Sequence, residues 1–353
     1  MGSAVAITGV GGLTGRELLG RLLADPSVDR IVGLDIAPPA DLVPGPKLEL
    51  RAHDVRAPDL AAAFEGCDAV YHLAFVMDER PDAALMRSVN IDGTRNVAEA
   101  AAKAGVSKLV YPSSYVAYGA HPDNDVPLHE DSPLRANPDF AYGEQKREVE
   151  HWLREWAEGH PELATIVFRP AIVAGPQADN WFVRMVFETP RAVLVKGYHP
   201  PLQLTHLDDL VDALVHALHH DLRGPYNVAS EGWLRTEEVL DHTGLSIVEV
   251  PEGMVFDLAD RLWRIGVAQG PPGVVHYFMH PVVMSVDRLR ATGWEPRHTN
   301  REALQLLHDA HAPYVALKHG RRVRRRSLKV GAGLTGVALA ALAIRAIRSE
   351  RDR

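Results

Sequence analysis

Cysteine is almost missing from this chain of 353 residues: Cys67 stands alone. One thiol excludes an internal disulfide and is too few for a cysteine-based zinc site. Cys67, in Glu-Gly-Cys-Asp just before an apolar run, reads as structural. A basic leader is also missing. The first apolar run follows Met1 and Gly2 and leads straight into a glycine turn, so the N-terminus does not read as a secretory signal. Basic stripes with interleaved aromatics, the footprint of a nucleic-acid binder, are absent from the body of the chain. These absences predict a cytoplasmic protein with no nucleic-acid partner.

What is present is globular, with 46% hydrophobic and 24% charged residues, a composition that buries a core. The net charge of −8 conceals an asymmetry. Residues 313–353 carry 11 Lys/Arg against 2 Asp/Glu, which leaves 27 basic and 44 acidic residues on the rest. An acidic body with a basic tail predicts a separate partner for the tail.

Two hydrophobic periods alternate along the first half. Apolar runs at Ala4–Thr8, Arg30–Asp35, Leu48–Arg51, Ala69–Leu73, Lys108–Pro112 and Thr165–Arg169 read as strands. Between them Gly15–Ala24, Asp59–Phe64, Met86–Ala104 and Tyr142–Gly159 read as helices. The alternation predicts an α/β fold with a parallel sheet covered on both faces. Later, Gln203–Leu218 reads as a strand and helix, and Pro225–Ala229 as a strand, both returning to the sheet edge; Arg301–Ala312 reads as a closing helix.

The first strand runs into Thr8-Gly9-Val10-Gly11-Gly12-Leu13-Thr14-Gly15 and then a helix. Gly9 permits the tight turn, Gly12 lets backbone approach a pyrophosphate, and Gly15 lets helix and sheet pack closely. The helix N-terminus offers free N–H groups and partial positive charge to phosphates. Asp35 closes the second strand, where a carboxylate accepts bonds from the adenosine ribose hydroxyls and repels a 2′-phosphate. Together these predict NAD rather than NADP, on a Rossmann-type doubly wound parallel sheet with a smaller C-terminal substrate lobe. The expected boundaries are 1–178 for the dinucleotide half with 203–230 returning to it, 179–202 and 231–312 for the lobe, and 313–353 for the tail.

Tyr142 and Lys146 are four apart on a helical pattern and so share a face. A phenol titrates near pKa 10, and a nearby ammonium together with a nicotinamide cation favours the phenolate that exchanges a hydroxyl proton during hydride transfer. Ser113 and Ser114 follow the strand Lys108–Pro112, at the carboxyl end where ligands bind. A serine there either holds the substrate oxygen or caps the strand end.

With these segments assembled, the chain resembles the extended short-chain dehydrogenase/reductase superfamily, in its NAD-dependent epimerase/dehydratase branch. The matching segments are the glycine turn, Asp35, Asp54-Val55, His72-Leu73-Ala74, Asn90–Thr94, Ser113–Gly119, Tyr142–Lys146, Arg169-Pro170, His206–Asp209, Tyr226–Val228 and Thr292–Pro296. They run in family order over about residues 4–310. The resemblance implies a catalytic Ser114, Tyr142 and Lys146. It implies a cofactor site of Gly9, Gly12, Leu13, Thr14, Gly15, Asp35, Ser113, Tyr142 and Lys146. Asp54 and Val55 would hold the adenine, Leu73 and Ala74 the pyrophosphate and nicotinamide ribose, Asn90 the segment under the cofactor, and Phe168 and Pro170 the nicotinamide amide. Tyr115-Val116 and Phe75-Val76 depart from the family's small residues, narrowing the substrate mouth and making that wall apolar. Family members often pair through a helix bundle, which implies a homodimer through Met86–Ala104 and Tyr142–Gly159. His216, His219 and His220 sit together on a helix without a matching carboxylate set, His206 belongs to a strand-end motif of the family resembled, and no metal is expected.

The substrate is a small molecule of unread identity. A nucleotide sugar requires a diphosphate clamp, for which Arg184, Arg191, Lys196, Arg261 and Arg264 are available. The stretch Met254–Met284, with Phe256, Leu262, Trp263, Ile265, Tyr277, Phe278 and Met279, either fills a lobe core or lines a pocket for a hydroxysteroid- or isoprenoid-type alcohol. Epimerisation, dehydration and simple oxidation or reduction remain open. A non-catalytic dinucleotide sensor is the other reading. In the tail, Arg321–Arg326 precede an uncharged run of 15 residues, Val330–Ile344. As a helix it spans roughly 22 Å, short of a hydrocarbon core of about 30 Å unless Lys329 and Arg345 snorkel. Residues 321–348 therefore read as a membrane anchor, a flexible basic tail, or a helix packed on a partner subunit.

Overall fold

The computed structural model describes residues 2–78, 82–189, 191–268, 270–316 and 321–324. The first half runs β1 (Ser3–Thr8), α1 (Leu13–Ala24), β2 (Val28–Asp35), β3 (Leu48–Ala52), α2 (Ala61–Phe64), β4 (Ala69–His72), α3 (Ala83–Arg87), α4 (Gly93–Lys103), β5 (Lys108–Pro112), α5 (Ala141–Glu158) and β6 (Ala164–Pro170). Then come β7 (Ile172–Ala174), α6 (Trp181–Phe187), β8 (Ala192–Val195), β9 (Leu204–His206), α7 (Leu207–His219) and β10 (Gly224–Val228). The chain continues through α8 (Thr236–Thr243), β11 (Ile247–Val250), α9 (Glu252–Arg264), α10 (Asp287–Arg290), α11 (Asn300–His311), β12 (Tyr314–Ala316) and β13 (Arg322–Arg324).

Seven strands form one parallel sheet in the order β10-β6-β5-β4-β1-β2-β3. This is the Rossmann-type doubly wound sheet the alternation predicts. Side chains alternate between two cores. Val5, Ile7, Tyr71, Val110, Ile166 and Phe168 pack with α1 and α7 on one face. Ala6, Val70, Leu109, Tyr111 and Val167 pack with α2, α4 and α5 on the other. Burial on both faces is why these strands read as unbroken apolar runs. Strand order reverses between β1 and β4, so a crevice opens at their carboxyl ends, where ligands bind in open α/β sheets.

Three expectations need correction. The helix expected over Met86–Ala104 is interrupted by a wider π-type turn at Ser88–Asp92, which carries the buried Asn90. Asn90 bonds the backbone of Val76 and the side chain of Gln145, so the extra residue re-aims this amide inward. The strand β9 does not return to the main sheet; it pairs with β7 in a separate two-stranded sheet, and only β10 reaches the edge. The basic segment is not wholly a free tail. β13 pairs antiparallel with β12, and Arg322 bonds Glu188, the residue that follows α6. Among the described residues no helix is long and apolar enough to cross a membrane. The run Val330–Ile344 lies outside the described residues.

Candidate active site

A cavity of about 540 Å³ occupies the crevice. Its floor is the glycine turn. Gly9 sits at φ +70°, a left-handed conformation, and a Cβ there would stand 2.7 Å from the Ala74 nitrogen. At Gly15 an added Cβ would lie 2.9 Å from the Val10 Cα, so the helix start could not reach the turn. Gly12 caps α1 without a side-chain bond, and the first turn of the helix faces the cavity through Leu13, Thr14 and Gly15. Such a cradle fits a pyrophosphate.

Asp35 closes the turn from the side. Its carboxylate accepts from the Gly11 amide at 3.0 Å and the Ala37 amide at 3.3 Å. Two carboxylate oxygens offer about four acceptor sites, so capacity for ribose hydroxyls remains. Arg16 borders the cavity, its Nε donating to the Gly11 carbonyl at 3.1 Å. Its guanidinium grips Asp41 at 2.6 and 2.9 Å.

The far side of the cavity holds Ser114, Tyr142 and Lys146. Ser114 caps the helical turn Tyr115–Tyr118, its Oγ accepting from the Val116 amide at 3.4 Å. Tyr142, in the first turn of α5, is wedged between the rings of Phe75 and Phe140, with centroids 5.7 and 5.8 Å away. Burial pushes its phenol up to about 12, while the Ser114 hydroxyl beside it pulls the other way. One turn on, Lys146 is fully enclosed. It donates to the Pro112 carbonyl at 2.7 Å and the Tyr111 hydroxyl at 3.1 Å. Burial holds its ammonium well below the usual lysine range, opposed by the Glu150 carboxylate. The spacing correctly placed Tyr142 and Lys146 on one face, but the ammonium sits 5.9 Å from the Tyr142 ring centroid and is directed at β5.

Ser113 borders the cavity, and its hydroxyl neither caps the strand end nor stays free for a ligand. Its hydroxyl donates to Glu150, and Glu150 pairs with Arg169 through Nε at 2.9 Å and a terminal nitrogen at 2.7 Å. Arg169 also donates to the Tyr118 hydroxyl and the Glu130 carbonyl. This enclosed network fixes β5, α5 and β6 beneath the site.

Several other expected residues stand outside the cavity. Asp54 is held by Arg56 at 2.6 Å, and that pairing keeps its carboxyl below the usual range. Val55 is buried and packs under Gly93. Ala74 and Asn90 support the segment 74–76 from behind rather than line the space. The Phe168 side chain lies in the core against Tyr226, while Leu73 and Pro170 do line the cavity.

Residues 5–229 match the NAD dependent epimerase/dehydratase family. The chain belongs to that family. Among curated relatives, an uncharacterised Mycobacterium tuberculosis protein is 27% identical over 308 residues, covering 85% of this chain and 81% of the relative. Rice cinnamoyl-CoA reductase 1 (Oryza sativa subsp. japonica) is 34% identical over 193 residues, covering 50% of this chain and 55% of that protein. The Thermus thermophilus UDP-glucose 4-epimerase, solved with NAD, superposes with a TM-score of 0.67 at 24% identity, over 87% of this chain and 98% of that one. NAD is the cofactor of the family.

In this epimerase/dehydratase chain, sequence reading missed much of the cavity wall. Phe140, Trp181, Phe182 and Val274 line it from three separate segments, beside Tyr277, which the Met254–Met284 stretch had offered as a pocket residue. The bulky Tyr115 lines the cavity, its ring meeting Tyr277 edge-on at 5.8 Å. The Tyr277 hydroxyl donates to the Val116 carbonyl at 2.9 Å, which ties the 272–278 turn to the serine loop. None of the five cations considered as a diphosphate clamp lines the cavity, and Arg184 is consumed by Asp179.

Among the described residues, two groupings put potential metal ligands close together. In His206, Asp208 and His298 the imidazoles stack face to face at 3.6 Å, so their in-plane lone pairs do not converge. In Asp179, Glu188 and His311 the carboxylates already hold Arg184 and Arg322.

Proposed function

We propose that the chain is an NAD-dependent oxidoreductase or epimerase exchanging hydride with a secondary alcohol or ketone carbon in the crevice. The observation that carries this is the convergence of the glycine cradle with Ser114, Tyr142 and Lys146 on one cavity. The turn from Gly9 to Gly15 and the N-terminus of α1 would hold the pyrophosphate, and Asp35 the adenosine ribose. NAD, when bound, supplies the hydride acceptor or donor.

Tyr142 moves the proton. In oxidation its phenolate takes the substrate hydroxyl proton as the carbinol C–H bond breaks; in reduction its phenol returns that proton to the oxygen. Ser114 bonds the same oxygen and orients it. The enclosed phenol, raised to about 12, needs positive charge to ionise near neutrality. Lys146 supplies part of that charge from one helical turn away. Phe75, Phe140 and Trp181 keep water from the reacting carbon. The apolar walls and the intact Ser–Tyr–Lys set favour catalysis over a dinucleotide sensor.

A Tyr142→Phe variant tests the reading. It should still bind NADH and lose roughly 10²–10⁴-fold in kcat. Unaltered turnover would remove Tyr142 from the mechanism.

A further inference from the structure

A second cavity, of about 460 Å³, adjoins the crevice. The two share Tyr115, Ile172, Phe182, Val274 and Tyr277 as common walls. Beyond these residues the chamber is walled by α6, by β8 and β11, and by α9, through side chains such as Met185, Val195, Val248, Leu258 and Leu262. Among the described residues no lysine or arginine lines it. Its polar groups are largely spent within the protein. Gln203 donates to the carbonyls of Ser230, Gly232 and Met284 and accepts from the Met284 amide. Thr236 donates to the Pro200 carbonyl, and Thr243 to the Val239 carbonyl. The His280 imidazole is pushed down by burial and stays neutral.

This chamber cannot pay for a buried diphosphate. Two or more negative charges would enter with no cation and few free donors, a large desolvation cost. An apolar body, by contrast, gains by leaving water. Pockets of about 300–1,000 Å³ with mostly apolar walls and few polar groups are the usual form of small-molecule sites. The polar groups that would grip a substrate oxygen stand at one end only, at Ser114 and Tyr142.

We infer that the substrate of the hydride transfer proposed above is an uncharged, largely hydrocarbon secondary alcohol or ketone, whose body fills the chamber beyond Tyr115 and Tyr277 while its oxygen meets Ser114 and Tyr142. This rests on the reading of the crevice as the NAD and reaction site. In the oxidative direction the C–H electron pair leaves as hydride to NAD⁺, the hydroxyl proton passes to Tyr142, and the products are ketone, NADH and a proton.

The test uses the full chain with NADH and a series of methyl ketones from butanone to decanone, beside UDP-glucose and dTDP-glucose. Binding is read by calorimetry; ketone turnover is read by loss of NADH absorbance, and nucleotide-sugar turnover, with NAD⁺ in place of NADH, by chromatography of the sugar products. Ketone affinity should rise about fourfold per added methylene until the chamber is full, and the nucleotide sugars should give no binding heat. Ala259→Phe, which narrows the chamber from α9, should move the optimum toward shorter ketones. A flat ketone series, or binding of either nucleotide sugar, overturns the inference. Length-dependent binding without NADH loss leaves the chamber assignment standing and removes the catalytic reading. Turnover of UDP-glucose that disappears in Tyr142→Phe does the reverse.

Discussion

The Lys146 ammonium stands 3.5 Å from the centroid of the Phe75 ring. An enclosed ammonium normally finds a carboxylate. Here it finds a carbonyl, a phenol and an aromatic face, and its nearest carboxylate, Glu150, is committed to Arg169 and Ser113. The cation–π contact and two donated bonds keep the charge in a place that burial disfavours.

Phe75→Leu should therefore destabilise the fold by roughly 1–3 kcal/mol, from lost ring packing and a lost desolvated cation–π contact. Urea unfolding of the purified variant measures it. A change within a few tenths of a kcal/mol would mean that the ring does not hold the ammonium.

Glu150 and Arg169 are almost fully enclosed, and Arg169 is raised well beyond its ordinary range by that carboxylate and the Tyr118 oxygen. Removing one partner strands the other. Glu150→Gln should cost about 3–5 kcal/mol. The double change Glu150→Leu with Arg169→Met should cost less than the two single changes summed, by more than about 0.5 kcal/mol. Additive losses would show that the pair is not coupled.

Cofactor choice follows from Asp35 and from the Arg16–Asp41 pair. The wild-type chain should prefer NAD. Asp35→Asn with Asp41→Ala removes the repelling carboxylate and frees a guanidinium beside it. The KM for NADP should then fall at least about tenfold, a change of roughly 1.4 kcal/mol. An unmoved KM for NADP would place the 2′-hydroxyl site elsewhere.

His72 predicts acid sensitivity. The Thr94 hydroxyl donates to the Asn90 carbonyl at 2.6 Å, so it accepts from His72 Nε2 at 2.9 Å, and His72 Nδ1 accepts from Thr8 at 2.8 Å. That chain needs a neutral ring, and burial, aided by Lys146, pushes the imidazole down to about 3 from 6.5. The folded pKa lies below the unfolded one. The contribution is thus fully present above pH 6.5 and lost as pH falls toward 3. The loss is on the order of 5 kcal/mol. Unfolding free energies measured across this window should show it in the wild type and not in His72→Gln. Parallel curves for the two would contradict it.

Local sequence pattern was enough to place the sheet, the glycine turn, Asp35 and the Tyr142–Lys146 face. Each of these is a local pattern: alternation along a strand, a spacing of four on a helix, or glycines where backbone must approach backbone. Lys108–Pro112 came out with its observed ends because both its faces are buried and both its flanks are turns. Local pattern could not distinguish Ser113 from Ser114, since adjacent residues at a strand end point to opposite sides and only the position of Glu150 decides which hydroxyl is taken. Nor could it join β9 to β7, or show that Leu262, Tyr277 and Phe278 face a chamber while Phe256, Trp263, Ile265 and Met279 do not. A hydrophobic residue looks the same in sequence whether it fills a core or walls a cavity. The difference lies in whether segments far apart in the chain leave a gap between them, and that is settled by their packing in three dimensions alone.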